Sequence, residues 1–312
     1  MNTSPNCCAE SPIAVSGVGC SIILSSTNIS SGNVGSDFSD IHVPRSVIEN
    51  LRLVTSLAQI RGDAFKYGVL SRNRVPGALL YGLPGTGKTL LAKSLSRQSS
   101  HTMLEVTSAD LNQMYVGEGE KIVRAIFTLA RKLRPCIVFI DEADAIFSSR
   151  TTSDRKHERA LTNQFLREWD GMATGDSDAA FLLLATNRPF DIDAAVLRRV
   201  PLRILIDLPT CDDRLAILKI LLKDEILGLD AKLPTLAEST DSYTGSDLKN
   251  LCVTAALTCV AEESPDPTTN QYLSRRVLRK KHFDQAMEVI RATTNSPSML
   301  SQMKTFDKKT RN

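Results

Sequence analysis

Five short apolar runs punctuate the chain: Ala78–Tyr81, Met103–Val106, Cys136–Ile140, Phe181–Ala185 and Ile204–Ile206. None alternates apolar with polar residues, so each is expected to be a strand buried on both faces. Between them, apolar residues recur at helical spacing, notably over Glu120–Leu133 and Glu158–Trp169. Strands separated by helices imply a parallel sheet covered on both sides. Beyond Leu208-Pro209 the strand signal disappears, and Asp213–Lys223, Gly245–Glu262 and Arg276–Thr293 all carry helical patterning. Ser246 is expected to cap the second of these, with Leu248, Leu251 and Cys252 on one face. The fold class is therefore α/β: a parallel five-stranded sheet flanked by helices, followed by a small all-helical domain. No internal repeat is evident.

The first 36 residues differ in kind. They are rich in Ser, Asn and Gly, Glu10 is their only charged side chain, and no Lys or Arg occurs before Arg45. That excludes the basic n-region of a secretory signal and the Arg-rich pattern of a mitochondrial presequence. Ile13–Leu24 is interrupted by Ser and Gly and falls short of the ~20 apolar residues that span a bilayer. A disordered tail over 1–36 and no transmembrane segment are expected. The expected units are then 37–208 (α/β), 209–293 (helical) and 294–312 (a C-terminal helix and basic tail).

Composition narrows the function classes. The 312 residues carry 38 Lys and Arg against 35 Asp and Glu, a net charge of only +3, which argues against a dedicated nucleic-acid binder. The basic run Arg275-Arg276, Arg279-Lys280-Lys281 reads as a solvated or subunit-facing surface. Seven cysteines show no C-x-x-C pair, as expected for reduced thiols of an intracellular protein, and four scattered histidines suggest no metal site.

The chemistry is concentrated at Gly82-Leu83-Pro84-Gly85-Thr86-Gly87-Lys88-Thr89, between an apolar run and a helical one. This is the strand, Gly-rich loop and helix context of a phosphate-binding P-loop. Glycines let backbone N–H groups turn toward a phosphate, and the helix N-terminus adds its dipole. Lys88 is expected to reach the β- and γ-phosphates of ATP, and the Thr89 hydroxyl to ligate Mg²⁺. About fifty residues on, the third run ends in Asp141-Glu142. Asp141 is expected to hold Mg²⁺ through a water, and Glu142 to orient and polarise the attacking water. The fourth run ends in Thr186-Asn187, whose amide can hydrogen-bond that water or the γ-phosphate. Arg198-Arg199 close a short helix before Pro201, placed to neutralise transition-state charge in a neighbouring subunit.

Taken together, these elements resemble the AAA ATPases, over about Phe38 to Asp307. The likeness is to the meiotic clade, which includes katanin- and spastin-type enzymes, and within it most to the mitochondrial outer-membrane ATPases that extract misplaced tail-anchored proteins. It is carried by Tyr115-Val116-Gly117-Glu118, by Leu133 to Asp144, by Gln164 to Gly171, by Ala185 to Pro189, by Arg198 to Arg203 and by Gly245-Ser246-Asp247-Leu248. The resemblance implies a lid for the helical domain, a hexameric ring with Arg198 and Arg199 as fingers acting in trans, and ATP with Mg²⁺ as cofactors. Asp40, Ile41 and Gly245 would line the nucleotide pocket, and Tyr115 and Val116 would grip an extended polypeptide substrate in a central pore. It also implies an intracellular setting facing the cytosol, at the mitochondrial outer membrane. Two departures stand out: Leu83 replaces the usual Pro of the loop, and His42-Val43 follow Asp40-Ile41 where Gly is common. Protein extraction or unfolding is the first expectation, with a microtubule-severing ATPase or a nucleotide-dependent binding scaffold as alternatives.

Overall fold

The computed structural model describes residues 29–30, 41–60, 67–69, 77–99, 101–111, 118–133, 135–148, 156–173, 180–263, 275–293 and 297–311. The strands are β1 (Ile29–Ser30), β2 (Gly77–Gly82), β3 (Thr102–Val106), β4 (Cys136–Ile140), β5 (Phe181–Thr186) and β6 (Leu202–Ile206), in the order β1-β3-β4-β5-β2-β6. The last five are mutually parallel, as the sequence leads one to expect. β1 is an addition: Ile29 and Ser30 pair antiparallel with Leu104 and Met103, so the expected disordered tail over 1–36 is corrected at these two residues. The reason is that β3 would otherwise be a bare sheet edge, whose free N–H and C=O groups accept any extended segment that reaches them.

Alternate residues of each strand enter two separate cores. Leu79, Tyr81, Leu104, Val138, Ile140, Leu182 and Leu184 face one side. There they meet helices Glu118–Lys132 and Lys156–Ala173, with Met303 of the C-terminal helix Pro297–Arg311 also in this core. Ala78, Leu80, Met103, Phe139, Leu183 and Ile204 face the other, against Leu51 of helix Arg45–Ile60 and Leu91 and Leu95 of helix Lys88–Gln98. Burial on both faces is why β2, β4 and β5 read as unbroken apolar runs, whereas β3 and β6 keep half-buried positions at Glu105 and Arg203.

Numbered in chain order, the helices are α1 (Arg45–Ile60), α2 (Lys88–Gln98), α3 (Ser108–Leu111), α4 (Glu118–Lys132), α5 (Ala143–Ile146), α6 (Lys156–Ala173) and α7 (Ala194–Arg199). They are followed by α8 (Cys211–Leu221), α9 (Leu233–Ser239), α10 (Gly245–Glu262), α11 (Lys280–Val289) and α12 (Pro297–Arg311). The helices α8 to α11 share a third core built on Leu218, Leu248, Leu251, Ala255, Phe283 and Ala286. This lid departs from the all-helical expectation. Ile226–Leu227 (β7) and Val277–Leu278 (β8) pair in parallel, and the helix expected from Arg276 starts only at Lys280. A two-residue strand whose partner lies about fifty residues away leaves no local periodicity to read. Two of the five basic side chains of the run are paired within the lid, Arg276 with Glu225 and Lys281 with Glu262.

The cap of α10 is Thr244 rather than Ser246. The Thr244 hydroxyl accepts the Asp247 N–H at 3.2 Å and the Asp247 carboxylate accepts the Thr244 N–H at 3.0 Å, a reciprocal box that pairs two otherwise free donors. Asp247 also accepts from the Thr293 N–H and hydroxyl. Burial alone would raise the Asp247 carboxyl, but these hydrogen bonds outweigh it and hold the group below the ordinary carboxylate range. A carboxylate depressed in the fold stabilises it above the unfolded value near pH 4 and loses that contribution as pH falls through its folded value. Asp247→Asn is therefore expected to destabilise the lid by about 1–3 kcal/mol at pH 7. In melts compared at pH 7 and pH 3.5 the deficit should shrink at the lower pH; an equal deficit at both would contradict the assignment.

Candidate functional site

The C-terminal tips of β2, β4 and β5 form one edge of the sheet. β5 lies between the other two, so its tip stands between the Gly-rich loop and Asp141-Glu142. A Cβ on Gly82 would lie 2.1 Å from the Ile206 carbonyl oxygen, so only glycine lets β2 and β6 pair to their last rung. Gly85 and Gly87 adopt left-handed φ of 78° and 95°, and the Thr86 hydroxyl closes the loop on Leu83 O at 2.9 Å. Leu83, standing where proline is usual, is buried. No side chain caps α2, so its first-turn N–H groups and its dipole suit a phosphate.

Lys88 is buried, and its Nζ donates to Gly82 O at 3.1 Å and Leu83 O at 2.8 Å. Burial pushes its pKa down to about 8 against the opposing pull of Asp141 and Asp144. The Thr89 hydroxyl donates to Asp141 Oδ2 at 2.6 Å, bringing the two expected metal-binding residues into contact. Mg²⁺ is commonly held by one or two carboxylates together with substrate phosphates. One carboxylate and one hydroxyl oxygen in contact, beside the phosphate loop, are donors of that kind. Glu142 is exposed and sits at φ 51°, left-handed for a non-glycine, with its N–H on Asp141 Oδ1 at 2.9 Å. Strain of this kind persists only where the surroundings enforce it.

At the tip of β5, Asn187 Oδ1 is buried without a hydrogen-bond partner among the described residues, an orphaned acceptor at the edge that carries the loop. Two residues that the sequence reading passes over join it. The Thr186 hydroxyl donates to Asp144 Oδ1 at 2.6 Å and accepts the Arg188 N–H at 2.9 Å. Their sequence signals are adjacency, Asp144 two residues past Glu142 and Thr186 one before Asn187, and their place within the Leu133–Asp144 and Ala185–Pro189 runs.

The arginine pair divides. Arg199 clamps Asp170 of α6 at 2.7 and 2.8 Å, also donates to Ala195 O at 3.1 Å, and holds the Asp170 carboxyl below its ordinary range. Arg198 is exposed and makes no side-chain hydrogen bond or ion pair among the described residues. Both residues end α7 just before β6 begins at Leu202, which pairs with Ala78 at the sheet edge opposite Gly82.

The lid reaches the loop directly. The Ser246 N–H donates to Gly85 O at 3.1 Å, and Gly245 lies close enough that a Cβ would stand 3.5 Å from the same oxygen. A Cβ on Gly85 would lie 2.7 Å from the Thr244 hydroxyl. Ile41 is half-buried, and next to it His42 Nε2 lies 2.6 Å from Asp213 Oδ1 in the first turn of α8. Burial favours a neutral Asp213, but hydrogen bonds from Thr210 and His42 hold its carboxyl below the ordinary range. Asp40, Tyr115 and Val116 lie outside the described residues.

Known proteins share this arrangement. A family model for the ATPase family associated with various cellular activities (AAA) matches residues 78–208, and one for the AAA+ lid domain matches residues 230–274. The chain is 39% identical to spastin from Danio rerio over 267 residues, which is 85% of this chain and 46% of that protein. It is 38% identical to spastin from Homo sapiens over 265 residues, 84% of this chain and 42% of that protein. The chain thus spans less than half the length of the curated relatives it matches. Among solved structures, the FIGL-1 AAA domain in complex with ADP superposes with a TM-score of 0.78 at 32% identity, covering 93% of this chain and 96% of that one. The FIGL-1 AAA domain crystallised separately gives 0.79 at 30% identity over 96% and 98%. With both family models matched in order and the FIGL-1 AAA domain superposing over nearly its whole length, the chain belongs to the AAA ATPases, ATP-hydrolysing enzymes in which an α/β domain is followed by a helical lid.

Proposed function

We propose that this chain is one subunit of a homo-hexameric ring that turns over ATP·Mg²⁺ at its subunit interfaces and uses the turnover to extract, unfold or remodel a polypeptide. The observation that carries the reading is the placement of Arg198. A strand of five residues separates the start of β6 from the edge bearing Gly82, a span of about 16 Å. That is too far for Arg198 to serve its own loop, so the γ-phosphate it neutralises belongs to the next subunit, while Arg199 braces α7 through Asp170.

Within one site, Gly82 to Thr89 cradle the phosphates and Lys88 exchanges the loop carbonyls for the β- and γ-oxygens. Thr89 and Asp141 would hold Mg²⁺, which supplies charge neutralisation on those oxygens. Glu142 takes the proton as water attacks the γ-phosphorus, the bond to the β–γ bridging oxygen breaks and ADP leaves. Asn187 holds the water in line. Asp40, Ile41 and Gly245 border the nucleotide, and Tyr115-Val116 grip the substrate chain in the pore. The working units are 37–208 for the α/β body, to which β1 adds Ile29–Ser30, 209–293 for the lid and 294–312 for the closing helix and tail. As a narrower proposal, the work is extraction on the cytosolic face of the mitochondrial outer membrane, which rests on the resemblance carried by the whole set of motifs from Tyr115–Glu118 to Gly245–Leu248. Among the described residues no helix is long and apolar enough to cross a membrane. The spastin matches favour a second reading, severing of microtubules, in which the gripped polypeptide is tubulin.

ATPase activity per subunit should rise with protein concentration as rings assemble, and Glu142→Gln should abolish it. Arg198→Ala should lower kcat by about 10³-fold. Mixing the two inactive variants should restore activity, because an intact Glu142 site then meets an intact Arg198 from its neighbour. Activity independent of dilution, or no recovery on mixing, would defeat the trans assignment. Tyr115→Ala should keep ATP turnover and lose unfolding of a tagged substrate protein; unfolding at the wild-type rate would remove Tyr115 from the mechanism. Stimulation of turnover by microtubules, but not by an unstructured polypeptide, would select the second reading.

A further inference from the structure

Past Glu142 the chain makes the single short turn of α5, from which Asp144 accepts the Thr186 hydroxyl at 2.6 Å across the gap between β4 and β5. The same hydroxyl accepts the Arg188 N–H at 2.9 Å, closing a turn over Asn187. One oxygen therefore does two things at once: it shapes the backbone around Asn187, and it ties that backbone to the segment carrying Glu142. Thr186 is 1% exposed, so no bulk water can take over either bond. The acceptor is a carboxylate, which makes the bond a charge-assisted one. Farther along, the Asp193 N–H donates to Phe147 O at 2.8 Å and Ser148 bridges Ile192. The segments 141–148 and 186–193 are thus joined at both ends, and the buried, unpartnered Asn187 Oδ1 lies between the joins.

We propose that Asp144 and Thr186 are a positioning pair for hydrolysis, fixing the Asn187 carboxamide relative to Glu142 so that the water which Glu142 deprotonates is held in line. The pair acts through the Asn187 backbone, and the proposal rests on the roles given above to Glu142 and Asn187. A misplacement of about 1 Å in an oriented group costs on the order of 10²-fold in rate while leaving binding in place, so the pair acts on kcat rather than on nucleotide affinity.

Steady-state ATPase kinetics and ADP binding on the assembled protein test this. Thr186→Val keeps the branched shape and loses the hydroxyl. It should lower kcat about tenfold to a hundredfold, with KM for ATP and the ADP affinity within about twofold of wild type. Thr186→Ser should recover most of the lost rate. Because Val also leaves the Arg188 N–H unpaired, Asp144→Ala, which leaves that N–H on the Thr186 hydroxyl, should repeat the kcat loss when both variants are assayed well below their melting temperatures. Thr186→Val combined with Asn187→Ala should be no slower than Asn187→Ala alone, since both disable one device. Wild-type kcat in Thr186→Val or Asp144→Ala, a loss confined to KM, or a multiplicative loss in the double variant would overturn the pair. A slow Asn187→Ala beside a fast Thr186→Val overturns the pair alone; an Asn187→Ala at wild-type kcat overturns the reading of Asn187 as well.

Discussion

Parallel pairing of β2 with β5 and β6, and of β5 with β4, is the constraint on which the site depends. It sends the C-terminal tips of three strands to one edge at a spacing of about 4.8 Å per strand. With β5 interposed, the loop after β2 and the carboxylates after β4 stand about 10 Å apart at backbone level, too far for main-chain contact. Side chains close the distance: Thr89 to Asp141 on one side of the β5 tip, and Thr186 to Asp144 at the tip itself. The carboxylates of Asp141 and Asp144 also oppose the desolvation of buried Lys88, which otherwise favours the neutral amine. The charge balance of the edge is thus a consequence of strand order.

The same strand is held from two further directions. The lid meets the loop through the Ser246 N–H on Gly85 O, and the tight approach of Thr244 to Gly85 leaves room there only for glycine. From the other core, the Tyr81 hydroxyl, one residue before Gly82, donates to Asp307 of α12 at 2.8 Å, and its ring stands edge-on to Phe306 with centroids 5.2 Å apart. His42 on Asp213 ties the segment before α1 to the lid as well. Lid position and loop geometry are therefore coupled through direct contacts rather than through the sheet.

How much of this was legible in the chain follows from the range of each interaction. The five parallel strands are legible as short apolar runs, because burial on both faces of β2, β4 and β5, and of most of β3, leaves a purely local signature. The loop from Gly82 to Thr89 was equally legible, since its glycines, lysine and threonine are consecutive. What escaped depends on distant partners. Ile29–Ser30 becomes a strand only against Leu104, and Ile226–Leu227 only against Val277–Leu278. Ser246 looked like the cap because Ser caps helices. The structure chose Thr244, whose partner Asp247 stands three residues on, and gave the Ser246 N–H to the loop. The Arg199 clamp on Asp170 and the Thr186 bond to Asp144 span 29 and 42 residues, and no spacing rule reaches that far.

The divided arginine pair links this geometry to assembly. Arg199 is oriented by a two-point pair with Asp170 and a bond to Ala195 O within α7, a partly exposed arrangement that sets its direction more than it adds stability. Arg198, one residue away and exposed, shares a rigid mount and has no internal partner among the described residues. A fixed cation at one edge of the sheet and a phosphate cradle at the other are two different surfaces, so a contact that joins them between copies is heterologous. Such a contact either propagates without end or closes into a ring. On the proposal made for this chain, closure is what gives each cradle an Arg198. The bond that braces Arg199 then fixes how accurately one subunit presents charge to the next.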